Sequence, residues 1–197
     1  DVPRPSSTKS RKKSAKGDQA AQEKKAKAKK KKTAKKPTDT GPRPRGWAEN
    51  WPRFRGPTGM GVVEGGDWPT NWDGKSEKNI AWKAKLPLPG NSSPVVWGDR
   101  IFLTGATTDK QEVYCLDRKS GELLWRTEIK HQSDLNPEDL RVMDHTGYAS
   151  PTPVTDGRRV YVFFATGDLA AVNVDGTVAW AKHVADPKNS YGIAVSP

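Results

Sequence analysis

Among 197 residues there is one cysteine and no run of about 18 apolar residues. The single Cys115 excludes an internal disulfide and a vicinal cysteine pair. The missing apolar run excludes a helix able to span a bilayer. No apolar signal core stands at the start, and the chain begins at Asp1 rather than Met. Two readings follow: removal of an upstream segment, or a fragment. No tryptophan precedes Trp47, and acidic residues are scarce in the same stretch. Residues 1–45 hold 17 Lys/Arg against 4 Asp/Glu, while the remainder holds 17 against 19. The net charge of +11 therefore belongs to the tail, and the rest of the chain is close to neutral. From Lys24 to Lys36 good helix formers stand beside like charges three and four residues apart, with no apolar face to bury. That pattern predicts a disordered Lys-rich tail over residues 1–46. It serves either as a solubilising linker or as a polyanion-binding arm, for nucleic acid, acidic polysaccharide or a phospholipid surface.

What the remainder contains is a repeat. Ser92-Ser93-Pro94-Val95-Val96-Trp97-Gly98-Asp99-Arg100-Ile101-Phe102-Leu103 opens the first copy, which closes on Leu123-Leu124-Trp125. Ala149-Ser150-Pro151-Thr152-Pro153-Val154 opens the second, which closes on Val178-Ala179-Trp180. A third Ser-Pro pair stands at Ser196-Pro197. Such a unit cannot bury its own faces and must stack on neighbours. Gly98-Asp99, Ser120-Gly121, Asp156-Gly157 and Asp175-Gly176 separate short β-branched or aromatic runs, so each copy predicts four short antiparallel strands. Glycine and proline interrupt every apolar run of the copies, so a helical reading of them fails. The fold class is all-β, a partial β-propeller whose copies are blades.

The spacing of Asp117, Gly121 and Trp125, repeated as Asn173, Gly176 and Trp180, resembles the tryptophan-docking motif of pyrroloquinoline-quinone-type (PQQ-like) propeller repeats. The stretch Trp51-Pro52-Arg53-Phe54-Arg55-Gly56-Pro57-Thr58-Gly59-Met60-Gly61, followed by Ile80-Ala81-Trp82-Lys83, is similar to the start of secreted planctomycete-type propeller proteins. These are related to the outer-membrane assembly lipoproteins that share the blades. The resemblance covers residues 47–197. It implies that each motif tryptophan lies between adjacent sheets, and that Ile80-Ala81-Trp82 is the last strand of a blade completed by C-terminal strands missing from this chain. A propeller closes with about 4 to 8 blades. Two blades and the start of a third describe a piece of a domain, with sheet faces that need a partner.

Candidate sites are few. Quinoprotein dehydrogenases resemble these blades, and the likeness implies a cofactor pocket with a stacking Trp, a vicinal Cys pair and Ca²⁺. Cys115 has no neighbouring Cys, and it reads as a small buried hydrophobe. Trp97, Trp125 and Trp180 could stack on a quinone, but they stand where core tryptophans belong. His131, Asp134, Glu138, Asp139, Asp144 and His145 form an insert between the copies, either a metal or ligand loop or a solvated excursion; their spacing fits no metal pattern. Asn136-Pro137 there reads as a helix start. His183 reads as a strand-end surface residue. No Gly-x-Ser-x-Gly elbow is present.

The organisation expected is a tail (1–46), an aromatic, Gly- and Pro-rich segment (47–78) and an incomplete propeller (79–197). The expected function is a non-catalytic binding or assembly scaffold, periplasmic, in the cell envelope or secreted, with protein partners on the propeller surface. No catalytic, cofactor or metal residue is assigned. The alternatives are an oxidoreductase using pyrroloquinoline quinone with Ca²⁺, and polyanion binding through the tail.

Overall fold

The computed structural model describes residues 42–132, 134, 136, 140 and 142–184. From Arg43 onward these belong to one compact unit. Residues 1–41 of the expected tail and the third Ser-Pro pair lie outside the described residues; of the rest of that span, the Pro44 carbonyl accepts from the Trp47 amide at 3.1 Å. Eight strands form, and among the described residues there is no helix. They are β1 (Val95–Trp97), β2 (Arg100–Ala106), β3 (Gln111–Asp117), β4 (Leu123–Glu128), β5 (Val154–Thr155), β6 (Arg159–Phe163), β7 (Asp168–Asn173) and β8 (Val178–His183). They make two four-stranded sheets of order β1-β2-β3-β4 and β5-β6-β7-β8, every pair antiparallel. This is the up-and-down order that hairpin-length connections dictate.

Side-chain alternation sets the core. Val113 and Cys115 of β3 point into one cluster with Val95 and Phe102, while Tyr114 and Leu116 take the opposite face. The second sheet meets that cluster with Val160, Val162, Ala170 and Val172. The two blades thus pack face to face, and burial on both faces of β3 explains the unbroken run Val113–Leu116 at its centre. Cys115 lies fully buried there, and desolvation pushes its thiol up to about 11, so it packs as a hydrophobe.

The register slips once in each sheet, between Cys115 and Leu116 opposite β4 and between Ala171 and Val172 opposite β8. Each bulge lies beside the last tryptophan of its copy, with Trp125 opposite Cys115 and Trp180 opposite Ala171. A bulge at that point re-aims the side chain beside it.

The segment before the blades folds onto their inner strands. Trp51 exchanges both backbone hydrogen bonds with Val96 on the free edge of β1, at 3.0 and 2.8 Å. One residue on, the Pro52 carbonyl accepts from the Thr155 amide of β5 at 2.8 Å, so two residues tie both sheets. Turns at Arg53–Gly56 and Gly56–Gly59 fold the segment back, and the Trp47 indole N–H donates to the Pro57 carbonyl at 2.9 Å. The Arg53 guanidinium sits 5.7 Å from the Trp47 ring centre. One expectation changes. Ile80-Ala81-Trp82 is not a strand, because no strand of the described chain lies beside it to hydrogen-bond.

Gly157 is the turn residue under most constraint. Its φ is +82°, and a Cβ there would fall 2.2 Å from the Trp97 ring. Gly98 has a φ of +59° but open space around it. Gly157→Ala is therefore expected to cost roughly 2–4 kcal/mol, from backbone strain plus the displaced ring. Gly98→Ala should cost about 1 kcal/mol, from strain alone. Urea unfolding midpoints of the two variants check the difference.

Candidate functional site

The side chains that the sequence singles out shape the last turn of each copy and the tryptophan contacts on it, one of which joins the two sheets. Asp117 sits at the end of β3, where its carboxylate accepts from the Lys119 and Ser120 amides, both at 2.8 Å. Those bonds, led by the one from Ser120, hold its carboxyl below the ordinary range. Gly121 follows with a φ of +74° and donates its amide to the Asp117 carbonyl at 2.9 Å. In the second copy Gly176 does the same toward the Asn173 carbonyl at 2.8 Å. The Asn173 side chain donates to the Thr177 hydroxyl at 2.9 Å. The Asx residue and the glycine thus shape one turn in each copy.

The tryptophans meet these turns from the preceding element. The half-buried Trp125 indole N–H donates to the Val174 carbonyl of the second sheet at 3.1 Å, and its ring lies over Gly176, where a Cβ would come within 3.0 Å. Thr127, two residues on in β4, donates to the Gly176 carbonyl at 2.6 Å. Phe102 flanks the same indole with ring centres 6.0 Å apart. Trp82 repeats the arrangement one unit earlier. Its N–H donates to the Arg118 carbonyl at 3.0 Å, and its ring covers Gly121, where a Cβ would come within 2.4 Å. Arg118 and Val174 each follow the Asx residue of their turn, so the two contacts are the same contact. Trp97 covers Gly157, and the Arg100 guanidinium donates to the Val174 carbonyl. Trp180 packs its ring 6.4 Å from Tyr161 on the second sheet.

A buried polar group lies at the opposite end of the strands. Asp168, the first residue of β7, has no exposed area. Its Oδ2 accepts from the Gln111 amide at 2.8 Å and from the Thr166 hydroxyl at 2.9 Å; its Oδ1 accepts from the Gln132 backbone N–H at 3.2 Å. The Nδ1 atoms of His131 and His183 stand 3.3 Å from Oδ2 and Oδ1 respectively. Gln111, His131 and Gln132 belong to the first sheet and its exit; Thr166, Asp168 and His183 belong to the second. Burial works to raise the Asp168 pKa, but the bonds from Gln111 and Thr166 outweigh it and leave the carboxyl below its ordinary value. The arrangement stabilises a fixed negative charge between two imidazoles and an amide. The Thr166 hydroxyl in it goes to the carboxylate and to the Gln111 amide oxygen.

Glu112 occupies the corresponding place in the first sheet. It faces Glu128 at the end of β4, as Asp168 faces His183 at the end of β8. Glu112 is also buried and accepts from the Tyr114 hydroxyl at 2.8 Å. Burial, then that bond, pushes the Tyr114 phenol well above its usual range.

The sequence reading did not single out Asp168, Gln111, Thr166 or the contact of Trp82. A carboxylate near the start of the third strand of both copies, Glu112 and Asp168, was the available signal. His183 is at a strand end as expected, but it is turned inward, its side chain only 20% exposed. Of the insert between the copies, His131 joins Asp168, whereas Asp134, Asp144 and His145 are exposed. Glu138, Asp139 and the helix start at Pro137 lie outside the described residues.

A family model described as "Outer membrane protein assembly factor BamB" matches residues 62–195, more than half of the chain. The chain belongs to this PQQ-like repeat family. Its repeats are the two sheets, and the fold is an all-β partial propeller. A curated relative, quinoprotein alcohol dehydrogenase PedH of Pseudomonas putida, is 30% identical over 112 residues, which are 54% of this chain and 16% of that protein. BamB from Moraxella catarrhalis has a solved structure, 20% identical, matching 53% of this chain and 27% of that one with a TM-score of 0.38. The quinohemoprotein alcohol dehydrogenase ADHIIG from Pseudomonas putida HK5 is 24% identical over 53% of this chain and 14% of that one, with a TM-score of 0.33. The chain spans less than a third of the length of each of these relatives.

The relatives' names raise the question of a quinone and a metal. The residues described here do not fit them. Cys115 is single and buried in the core, and the rings of Trp82, Trp97 and Trp125 lie on glycine turns of this same chain. Among the described residues no group of three or more His, Cys, Asp or Glu could hold a metal ion.

Proposed function

We propose that this chain is the opening part of a non-catalytic PQQ-like propeller that acts as a binding or assembly scaffold, in the cell envelope or outside the cell. Residues 1–46 form its tail, 47–78 its lead-in and 79–197 its blades. In this reading Asp117–Gly121–Trp125 and Asn173–Gly176–Trp180 are docking motifs, each joining one blade to the next. One observation carries the proposal. Trp97, Trp125 and Asp168 between the sheets, and Trp82 on the Gly121 turn of the first sheet, all make contacts within the chain and serve cohesion. A surface so consumed leaves recognition to the loops and outer faces, where propellers bind protein partners. The family match, described as an assembly factor, points the same way.

A second reading, an oxidoreductase using pyrroloquinoline quinone and Ca²⁺, draws on the likeness to PedH. Titration of the full chain with the quinone and Ca²⁺, followed by quinone absorbance, separates the two. The scaffold reading expects no saturable, Ca²⁺-dependent change. A stoichiometric change abolished by a chelator would establish the oxidoreductase reading in its place.

A further inference from the structure

The first sheet grips the second with three donors from one face. The Arg100 guanidinium and the Trp125 indole N–H both donate to the Val174 carbonyl, and the Thr127 hydroxyl donates to the Gly176 carbonyl. What they hold is the turn Asn173-Val174-Asp175-Gly176. That turn is acidic, and Thr177, then more weakly the Arg100 charge, holds the Asp175 carboxyl below its ordinary range. The strand registers put Arg159, Trp180 and Lys182 of the second sheet in the places of Arg100, Trp125 and Thr127. Arg159 faces Asn173 as Arg100 faces Asp117; Trp180 faces Ala171 as Trp125 faces Cys115; Lys182 faces Leu169 as Thr127 faces Val113. Val160, Val162, Ala170 and Val172 meet the first sheet, so alternation puts Arg159, Trp180 and Lys182 on the opposite face. Among the described residues no third sheet stands on it.

The second copy departs from the first in charge. Arg158 stands where the first copy has Asp99, which pairs with Arg118 at 3.2 Å, and Lys182 stands where it has a hydroxyl. Arg158, Arg159 and Lys182 are all exposed. The two arginines line a cavity of about 250 Å³ with Tyr161, Asn173 and Asp156. Asp156 is the one carboxylate in that lining, and its oxygens already accept from the Arg158 and Arg159 amides at 2.8 and 2.7 Å and from the Tyr161 hydroxyl at 3.1 Å. Cations and donors are therefore in excess on this face.

We propose that this face of the second sheet binds a further four-stranded unit through an acidic Asx-Gly turn, with Arg159 and Trp180 sharing one backbone carbonyl of that turn and Arg158 and Lys182 facing its carboxylates. The first sheet shows the same face occupied in this way by the second, so the contact continues an interface already present. Charge-assisted bonds from a guanidinium are the stronger kind, and opposite charges fix which partner is accepted. A small free anion would satisfy the arginines but leave Trp180 and the 39% exposed Val154 without an apolar partner. This rests on the docking reading above and adds to it the partner's charge and the residues that read it.

The test continues the full chain past Pro197 with a second copy of residues 152–184, which keeps the register because Ser196-Pro197 repeats Ser150-Pro151. The appended unit brings its own turn Asn173-Val174-Asp175-Gly176 to the face. Urea midpoints are read for the parent and the extended chain. A single transition at a higher midpoint is expected on extension, because neighbouring repeats stabilise one another. Arg159→Gln/Lys182→Gln should lower the extended chain's midpoint by roughly 0.5–1 M and leave the parent's unchanged. Arg100→Gln in the parent, which removes the equivalent tie between the two sheets, should show a loss of the same order. Asp175→Lys confined to the appended copy should also lower the extended chain's midpoint, and its loss combined with Arg159→Gln/Lys182→Gln should fall short of the sum. Arg159→Gln/Lys182→Gln silent in both chains, or Asp175→Lys without loss, would overturn the acidic-turn contact. Trp180→Ala in the extended chain then tells the two readings apart: a lowered midpoint leaves the docking reading standing alone, and an unchanged one removes both. No gain in midpoint on extension would overturn the proposal outright, since the face then does not accept such a unit.

Discussion

Asp168→Ala is expected to destabilise the protein by about 3–5 kcal/mol, the largest effect of any single change outside the aliphatic core. The carboxylate receives the Gln111 amide, the Thr166 hydroxyl and the Gln132 backbone N–H, with two imidazoles beside it and no exposed area of its own. Removing it takes the acceptor from a Gln111 amide N–H and from the Gln132 backbone N–H, while the Thr166 hydroxyl keeps the Gln111 Oε1 at 3.1 Å; a buried donor left without an acceptor costs more than an average hydrogen bond contributes. Asp168→Asn keeps the volume but turns an amide donor toward groups that already donate, so it should cost nearly as much. Urea unfolding midpoints measure both. A loss below 1 kcal/mol for Asp168→Ala would mean that water replaces the carboxylate. The group also sets a pH dependence with a definite sign. Its pKa is lower in the folded protein than its ordinary 3.8, so its contribution is complete above that value. The contribution is lost as pH falls from about 3.8 through the folded value. The acid limb of stability against pH should therefore be steeper in the parent than in Asp168→Asn.

Trp125→Ala is expected to cost on the order of 2–4 kcal/mol, somewhat under the range for a fully buried large-to-small change, because the indole is half-buried. Three contacts go together: the bond to the Val174 carbonyl, the stack on Gly176 and the packing on Phe102. Trp125→Phe keeps most of the ring and should lose about 1 kcal/mol, the worth of the N–H bond. Glu122→Ala, on the exposed turn beside it, should stay within about 0.5 kcal/mol. Thr177 is no neutral counterpart in the second copy, since its hydroxyl bonds to both Asp175 and Asn173. Trp180→Ala should cost less than Trp125→Ala, because among the described residues its ring partner is Tyr161 of its own sheet. Equal and small losses for Trp125→Ala and Glu122→Ala in urea midpoints would remove Trp125 from the joint between sheets.

How much was legible follows from the range of the forces involved. Gly98-Asp99 and Asp156-Gly157 turn the chain by local backbone preference, so both hairpins could be read from a few residues. Period-two alternation in Val113, Tyr114, Cys115 and Leu116 reports strand faces in the same local way. Trp82 was harder. Its strand partners are absent beside it, so the run Ile80-Ala81-Trp82 carries strand-like residues without a strand, while the indole still finds its turn 36 residues on.

The amino-acid sequence by itself determined an all-β chain of repeated four-stranded units, the positions of the turns, the buried thiol and the segregation of positive charge into the first 45 residues. Each rests on local conformational preference or on composition, which need no knowledge of the partner. Only the tertiary structure decided that Gln111, His131, Thr166, Asp168 and His183, spread over 73 positions, meet around one carboxylate. It also decided that Trp51 and Pro52 tie the inner strands of both sheets, and that Met60, Val62, Val63 and Trp68 line an open groove. Burial of a polar group is favourable only when distant partners satisfy it, and exposure of an apolar one depends on what fails to cover it. Both are properties of how the blades stack, which no single segment encodes.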